Sequence, residues 1–277
     1  MADNIKIHVL QTGRVRVDEA LPFHEKTINP LAFTGMFRSE KHKIWIPVST
    51  YLIEHPKGLV LFDTGWSKAV RNNNSETKKK KLLGEISVAD LPAGTAIDEQ
   101  LLALGYNPKD IDVVLLSHLD GDHAGGLNLV KDAKKFLVSR EELIASKGFG
   151  KGIRYDSKLW EETKLEPFDF GDTGIGPMKR SFDLFNDGTF QIIWTPGHSR
   201  GLVSIMLNNN GQDFVLLVSD TGYAKKSWDK LITPGISVNR KQAYQSLEWV
   251  KEMSSKKNCI ATLANHDPEI KPHTLTL

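Results

Sequence analysis

The sequence predicts a layered α/β fold in which β-sheets are sandwiched between helices. Three observations predict it: the chain begins with strand-like alternation, later apolar runs have the length of buried strands, and two stretches with helical spacing lie among those runs. The chain has 277 residues, 40% of them hydrophobic, which is enough to bury a large core. We therefore expect a single domain over residues 1–277.

The first third of the chain has the pattern of strands. IKIHVL alternates apolar and polar residues, and IWIPVSTYLIEHPKGLVLFDTG has the pattern of two strands joined by a turn at residues 55–58. The next segment breaks this pattern, because RNNNSETKKKK at residues 71–81 is polar and mostly charged at its end. We expect a solvated loop there.

Helices and buried strands alternate in the rest of the chain. DEQLLALGY at residues 98–106 has helical spacing and is followed by Pro108, and NRKQAYQSLEWVKEM at residues 239–253 carries its apolar side chains on one stripe. Continuous apolar runs lie around these helices and are typical of strands that are buried on both faces. The runs are DVVLLSH, FLVS, QIIWTPGH, VSIML, FVLLVSD and CIATLANH.

The charge balance and composition exclude several classes of partner. Lys and Arg number 36 against 34 Asp and Glu, so the formal net charge is only +2. That value favours a small-molecule substrate over nucleic acid or a membrane surface. No apolar run approaches the roughly 20 residues that cross a bilayer, and the first residues lack the pattern of a secretory signal. Cys259 is the single cysteine, so we expect a buried thiol, no intrachain disulfide and a cytoplasmic protein.

Several of the apolar runs end in a residue type that binds metals. DVVLLS leads into His118, QIIWTPG into His198, FVLLVS into Asp220, and CIATLAN into His266. Strand ends in an α/β fold gather at one edge of the sheet, where ligand crevices form. We therefore expect these four side chains to converge although they are far apart in sequence.

The densest cluster of such residues is HLDGDHAGG at residues 118–126. It adds Asp120, Asp122 and His123 to His118, which makes four possible ligands within six residues. We expect the glycines at 121, 125 and 126 to let the backbone turn tightly and bring the side chains together. Imidazole and carboxylate donors without sulfur suit zinc, iron or manganese.

The order of these motifs resembles the metallo-β-lactamase superfamily. HLDGDH matches the HxHxDH signature except at its second histidine, and DTG at 63–65, TPGH at 195–198, SDTGY at 219–223 and NHDPE at 265–269 follow in order. The resemblance spans about residues 46–270 and implies the αββα sandwich of that superfamily, with two central, mostly mixed sheets flanked by helices. Within it, STYLIEHPKGLVLFDTG, Tyr223 and the histidine of HDPE most resemble the N-acyl-homoserine lactonases, which are quorum-quenching lactonases.

The resemblance implies two divalent metal ions, with zinc as the expected metal. Carried over residue by residue, His118 and His198 hold the first ion, Asp122, His123 and His266 hold the second, and Asp220 bridges both. Asp63 of DTG then lies behind the site and orients a ligand histidine by hydrogen bonding; alternatively it is only a turn residue before glycine.

The resemblance also implies a hydrolase mechanism. A hydroxide held between the two metal ions attacks the carbonyl of a lactone or another carboxylic ester, and Asp122 carries the proton to the leaving alkoxide. Tyr223 donates a hydrogen bond to the carbonyl oxygen if its phenol points inward, or else packs after the strand end. Phe33, Met36, Phe37 and Trp45 either line an apolar groove for an acyl chain or pack as ordinary core.

Asp120 is where the chain departs from the signature. One hypothesis makes Asp120 a ligand, which leaves the site one charge less positive than with histidine. Bound water would then be acidified less, and preference would move towards iron or manganese. The other hypothesis is that the shorter side chain does not reach, so that the first site is weak or empty.

Other functions remain open at this point. Hydrolysis of a thioester or a phosphodiester fits the same ligands, and no cluster of arginines marks a phosphate pocket. The flavodiiron proteins of the superfamily place a glutamate at the position of Asp120 and hold two irons, which keeps a di-iron redox protein as an alternative. A non-catalytic metal-binding protein is the last alternative. The sequence leaves the oligomeric state unknown.

Overall fold

The computed structural model describes residues 4–72, 86–148, 154–209 and 212–277. Its first sheet has the strand order β14-β1-β2-β3-β5-β6-β7, and β4 also pairs with β1. The strands β3, β5, β6 and β7 run parallel to one another, and the remaining pairs are antiparallel. The strands are β1 (Lys6–Asp18), β2 (Lys43–His55), β3 (Gly58–Phe62), β4 (Ser87–Asp90), β5 (Val113–Leu115), β6 (Phe136–Ser139), β7 (Leu165–Phe168) and β14 (His273–Thr276).

The second sheet has the order β13-β12-β11-β10-β9-β8. Its strands are β8 (Gly171–Asp172), β9 (Arg180–Asp183), β10 (Phe190–Trp194), β11 (Val203–Asn208), β12 (Phe214–Leu217) and β13 (Cys259–Leu263). Strand β11 is antiparallel to both β10 and β12, and β13 is parallel to β12. The strands β10, β12 and β13 therefore all end at the same edge of the sheet.

Six α-helices lie within the described residues. They are α1 (Ala69–Asn72), α2 (Ile97–Ala103), α3 (Gly121–Ala124), α4 (Arg140–Ala145), α5 (Lys225–Asp229) and α6 (Arg240–Ser254). The side chain of Asn239 caps the first turn of α6 by accepting from the Gln242 amide. None of the helices in the described ranges is long and apolar enough to cross a membrane.

The core lies between the two sheets, and the strand period of two decides which side chains enter it. Tyr51, Ile53 and Phe62 of the first sheet pack against residues of the second such as Ile192 and Ile205. Leu52 and Leu61 point to the opposite face, where they pack against Ile97 and Leu101 of α2. Leu216 of the second sheet likewise packs outward against Leu247 and Val250 of α6. This arrangement is the predicted sandwich of two mixed sheets between helices.

The elements predicted from sequence pattern are present. The structure adds the short strands β4, β7, β8, β9 and β14, which pair at sheet edges or are too short to show a period. Cys259 is only partly buried, which corrects the expectation of a buried thiol. Most of the loop predicted at residues 71–81 lies outside the described residues; the two described ones, Arg71 and Asn72, end α1.

Candidate metal centre

The four predicted strand-end residues meet at one edge of the sandwich. His118 follows β5 of the first sheet, and His198, Asp220 and His266 follow β10, β12 and β13 of the second. In the second sheet β10, β12 and β13 run in the same direction, so the residues that follow them lie at one edge. In the first sheet β5 runs parallel to β3, so the residues that follow these two strands also lie at one edge. The short helix α3 adds Asp122 and His123 from the same side.

A first set of donor atoms comes from His118, Asp120, His198 and Asp220. The Oδ2 atom of Asp120 lies 3.3 Å from Nε2 of His118 and 3.1 Å from Nε2 of His198. Oδ2 of Asp220 lies 3.9 Å and 3.4 Å from the same two nitrogens. Ligands arranged tetrahedrally at roughly 2.0–2.1 Å from a zinc ion lie about 3.3 Å from one another. Oδ2 of Asp120 therefore reaches both histidine nitrogens, and His118, His198 and Asp220 offer ligand atoms that all lie within 4.8 Å of one another.

A second set comes from Asp122, His123, His266 and the other oxygen of Asp220. Oδ1 of Asp220 lies 3.2 Å from Nε2 of His123 and 3.1 Å from Nε2 of His266. Oδ2 of Asp122 lies 3.9 Å and 3.6 Å from the same nitrogens. Asp220 therefore presents one oxygen to each set, which is the geometry of a residue that bridges two ions.

The hydrogen bonds of the four histidines direct Nε2 at the centre. Each Nδ1 lies against an oxygen that accepts, so in the neutral imidazole Nδ1 carries the proton and Nε2 carries a lone pair. The acceptors are Ser117 Oγ for His118 (2.9 Å), Asp63 Oδ2 for His123 (2.8 Å), the Ile236 carbonyl for His198 (2.9 Å) and the Pro47 carbonyl for His266 (2.7 Å).

Lone pairs therefore face lone pairs across the centre, which only a cation or a proton between them can stabilise. Nε2 of His118, His123 and His266 and Oδ1 of Asp220 are buried and have no hydrogen-bond partner in the described part of the chain. Buried polar atoms are nearly always satisfied, so a group of four without partners calls for a ligand. A divalent metal ion in each set would satisfy them all.

Burial and the charges around the site shift the pKa values of its histidines in different directions. Burial disfavours protonated His123 and His266, but the Asp220 carboxylate outweighs burial and raises the pKa of both imidazoles. Burial lowers the pKa of His198, and the Arg154 guanidinium lowers it further. Burial opposes ionisation of Asp220, yet His266 and His123 hold its pKa well below the usual value. Protons and metal ions thus compete for the same Nε2 atoms.

Asp63 is the residue predicted to lie behind the site, and its predicted hydrogen bond to a histidine of the site is present. Its carboxylate accepts from Nδ1 of His123 at 2.8 Å, the Ser117 amide at 2.7 Å, Ser117 Oγ at 2.8 Å and Nδ2 of Asn265 at 3.0 Å. Its side chain is fully buried, and its backbone has a left-handed φ of 62°. Asp63 thus ties three segments that carry metal-site residues into one unit.

Two glycines of HLDGDHAGG allow backbone segments to pack closely against each other, which corrects the expectation that they allow a tight turn. Gly125 and Gly126 have ordinary helical or near-helical φ values of −64° and −85°. A Cβ on Gly126 would lie 2.2 Å from the Thr64 carbonyl oxygen, and one on Gly125 would lie 2.4 Å from that of Gly121. The two glycines let α3 lie directly against the segment that follows Asp63.

Arg154 contacts two residues of the site, and the sequence did not reveal it. Its Nε and one terminal nitrogen donate to Oδ1 and Oδ2 of Asp120, both at 2.7 Å, and the other terminal nitrogen donates to the His198 carbonyl at 2.6 Å. Burial disfavours a charged Asp120, but Arg154 and then His118 hold its pKa well below the usual range. A signal was available: a carboxylate in place of a neutral ligand calls for a compensating cation, but nothing local marks Arg154, 34 residues away.

Arg154 offsets the loss of positive charge that Asp120 was expected to bring to the site. Asp120 adds one negative charge relative to histidine, and Arg154 adds one positive charge in direct contact with it. The net charge around the two donor sets is then the same as with a neutral histidine and no arginine. The charge argument for iron or manganese over zinc no longer holds.

Tyr223 lies over the donor atoms and is buried. Its ring stacks on His266 with centroids 4.8 Å apart and meets His198 edge-on at 6.0 Å. Burial raises the pKa of its phenol well above the usual value, and Asp220 raises it further, so the phenol keeps its proton. The inward orientation of Tyr223, one of two alternatives from sequence, is the one observed.

A cavity opens onto the donor atoms and has an apolar wall. Asp120, Asp122, His198, Asp220 and Tyr223 line it on one side. Its other lining residues are Val15, Val17, Leu21, Ile46, Trp66, Ser87 and Ile236.

The N-terminal aromatic segment contributes less to this cavity than the groove hypothesis supposed. Phe37 is 90% exposed and Trp45 is 40% exposed. Met36 lines a separate cavity beside Arg16, and Phe33 packs behind the wall in the cluster that contains Leu21. Val15, Val17 and Ile46 of the wall come from β1 and β2, whose apolar residues the sequence could not assign to either face of the sheet.

The fold and the two donor sets define a metallo-hydrolase, and comparison with known proteins identifies the family. The chain belongs to the metallo-beta-lactamase superfamily, whose model matches residues 44–257. Similar proteins include an N-acyl homoserine lactonase AttM of Rhizobium radiobacter, which is 27% identical over 230 residues and aligns with 81% of this chain and 83% of its own length. The N-acyl homoserine lactonase AiiA of Bacillus thuringiensis subsp. kurstaki is 27% identical over 267 residues, which cover 95% and 94% of the two chains.

Solved structures agree on the fold. An N-acyl homoserine lactone hydrolase with its product N-hexanoyl-L-homoserine bound at the catalytic metal centre superposes with a TM-score of 0.76 at 23% identity, over 95% of this chain and 94% of that chain. AidC, a dizinc quorum-quenching lactonase with a bound product, superposes with a TM-score of 0.63 at 17% identity, over 99% and 94%.

Proposed function

We propose that the chain opens lactones, or cleaves related carboxylic esters, with two divalent metal ions. The observation that carries the proposal is the pair of donor groups that meet at Asp220 beneath an apolar cavity. His118, Asp120, His198 and Asp220 would hold the first ion, and Asp122, His123, His266 and Asp220 would hold the second; the close spacing of His118, His198 and Asp220 and of Asp122, His123 and His266 supports the two groups. Zinc suits these nitrogen and carboxylate donors, and the dizinc AidC supports that choice.

Two ions held there would acidify a coordinated water molecule and polarise the substrate carbonyl. The chain's own groups account for the rest of the reaction. Tyr223 keeps its proton and donates to the carbonyl oxygen as negative charge develops on it. When water has added to the carbonyl carbon and the carbon–oxygen bond of the ring breaks, Asp122 passes a proton from that water to the leaving alkoxide. The product is the open hydroxy acid.

N-acyl-homoserine lactones are the substrate class that we propose. The relatives with this name align along most of the chain, and the apolar wall of the cavity offers contact for an acyl chain. Burying each methylene group on such a wall contributes about 0.8 kcal/mol. A cytoplasmic location is part of the proposal and rests on the single cysteine, since paired cysteines mark oxidising compartments.

The test is to combine elemental analysis of metal with a substrate panel on the same preparation. The panel contains N-acyl-homoserine lactones of several chain lengths, simple lactones, aryl esters, a thioester and a phosphodiester. We expect about two divalent ions per chain and the highest kcat/KM on the acylated lactones. Turnover confined to the phosphodiester or thioester, or two irons with no hydrolysis at all, would contradict the proposal.

Tyr223→Phe should lower kcat on lactones by roughly tenfold to a hundredfold, because one donor to the developing oxyanion is lost. The ring and its stacking on His266 remain, so metal content and the thermal unfolding midpoint should stay unchanged. Steady-state kinetics and elemental analysis check this. An unchanged kcat would remove Tyr223 from the mechanism, and a loss of metal would assign it a structural role.

Ile236→Asp should raise KM for a long-chain acyl-homoserine lactone by at least roughly tenfold, because it places a charge on the apolar wall. An unsubstituted lactone, which has no acyl chain, should be affected much less. Val238→Asp is the matched control, since Val238 lies two residues further on and is 51% exposed. Equal effects of Ile236→Asp on both substrates would show that this wall does not bind the acyl chain.

A further inference from the structure

We propose that Arg154 is a positioning residue that makes a carboxylate at position 120 work as a metal ligand. It fixes the orientation of Asp120 in the first donor set and supplies the charge that balances it. The inference rests on the metal ligands assigned in the proposed function and adds a residue to them. Asp120 and Arg154 then form one unit that takes the place of the second histidine of the superfamily signature.

The geometry of the ion pair carries the first step of this argument. Arg154 donates hydrogen bonds to both oxygens of Asp120 at 2.7 Å, which is the bidentate arrangement that fixes the plane of a carboxylate. The second lone pair of Oδ2 remains free to face Nε2 of His118 and Nε2 of His198, at 3.3 Å and 3.1 Å. The arginine therefore orients the carboxylate without removing it from the first donor set.

The same guanidinium also holds the loop of a second ligand. It donates to the His198 backbone carbonyl at 2.6 Å, so one side chain links the segments that carry Asp120 and His198. Only 14% of the Arg154 side chain is exposed, against 19% for Asp120. An ion pair this buried is formed at a high desolvation cost, which favours an unbroken pair over either partner alone.

Arg154 is held in place by its surroundings rather than extending freely from the surface. The Cζ atom of Arg154 lies 5.7 Å from the centroid of the ring of the next residue, Tyr155. The buried carboxylate of Glu142 accepts from the Leu119 amide at 3.3 Å and the Gly201 amide at 2.9 Å. Glu142 thus joins the two loops that Arg154 itself bridges.

Charge supplies the last step. A buried carboxylate that replaces a neutral ligand adds a negative charge, and a guanidinium in contact with it adds an equal positive charge. Each replacement alone is unfavourable: histidine at 120 leaves Arg154 unpaired beside a divalent ion, and loss of Arg154 leaves Asp120 unrestrained. The two residues should therefore be exchangeable only together.

The experiment is a double-mutant cycle on metal binding, with Asp120→His, Arg154→Met and the double variant. Metal affinity is measured by competition with a chromophoric chelator, and the visible spectrum of the Co²⁺-substituted protein reports the first site's coordination. We expect each single variant to weaken first-site affinity by about tenfold to a hundredfold. The double variant should bind within about threefold of the wild type and restore a four-coordinate Co²⁺ spectrum. Arg200→Met, which removes an exposed arginine near His198, is the control and should change nothing.

Two outcomes would overturn the inference. One is an Asp120→His variant that binds metal as tightly as the wild type, and the other is a loss of metal affinity in the double variant that equals the sum of the two single losses. Arg154→Lys keeps the charge but not the bidentate grip, so a partial loss there separates positioning from charge. Far-ultraviolet circular dichroism shows whether each variant is folded. These readouts need no substrate: coupling without lactone turnover contradicts the proposed function alone, and turnover without coupling contradicts this inference alone.

Discussion

Asp220→Asn should reduce lactone hydrolysis by at least roughly a thousandfold, which corresponds to about 4 kcal/mol of activation free energy. Asp220 presents Oδ2 to His118 and His198 and Oδ1 to His123 and His266. An asparagine keeps one oxygen, replaces the other with a donor NH₂ group and removes the charge between the two sets. One of the two ions therefore loses its shared ligand, so elemental analysis should find about one ion per chain or fewer.

Asp213→Asn is the matched control, because Asp213 is exposed just before the same strand, β12, and lies outside the site. It should leave metal content and kcat/KM unchanged. Thermal unfolding of metal-free Asp220→Asn should show that the variant folds, since the substitution also removes a buried charge. Two tightly bound ions in a slow Asp220→Asn enzyme would mean that Asp220 acts in the reaction without bridging the ions.

The sequence could predict that these side chains meet because they follow regular strands. His118, His198, Asp220 and His266 each end a continuous apolar run, and parallel strands bring such ends together whatever their separation in the chain. Alternation predicted strands at the start of the chain, and Tyr51 and Ile53 of β2 follow the period of two on the inner face of the first sheet.

What the sequence could not predict depends on tertiary contact between irregular segments. Arg154 lies beside no motif, and its role exists only because the loops of Asp120 and His198 are packed against it. The cavity wall was also missed, because Val15 and Val17 alternate in a strand whose two faces are both covered over part of its length. The glycines at 125 and 126 were noticed for the wrong reason: a pattern of residues shows that a side chain is absent but not what occupies its space.

Asp63→Ala should lower the free energy of unfolding by at least about 4 kcal/mol, measured by urea denaturation of the metal-free protein. Four donors at 2.7–3.0 Å lose their acceptor in a fully buried position, and each unsatisfied buried group costs about 1–3 kcal/mol. Alanine would also have to adopt the φ of 62° that Asp63 has, which is unfavourable for a residue without a short polar side chain. Metal affinity at the second set should fall as well, since His123 loses the acceptor that orients it.

Asp63→Asn separates the two causes of that loss. Asparagine tolerates a left-handed backbone, so any destabilisation it shows comes from replacing an acceptor oxygen with an NH₂ group that faces donors. We expect Asp63→Asn to lose more than half of what Asp63→Ala loses, and the exposed Asp132→Ala to lose nothing measurable. A stable Asp63→Asn protein with His123 still binding metal would mean that backbone conformation, rather than the carboxylate, is what the position requires. A large loss in both variants would mean that the buried carboxylate holds the segments of Ser117, His123 and Asn265 together before any metal ion binds.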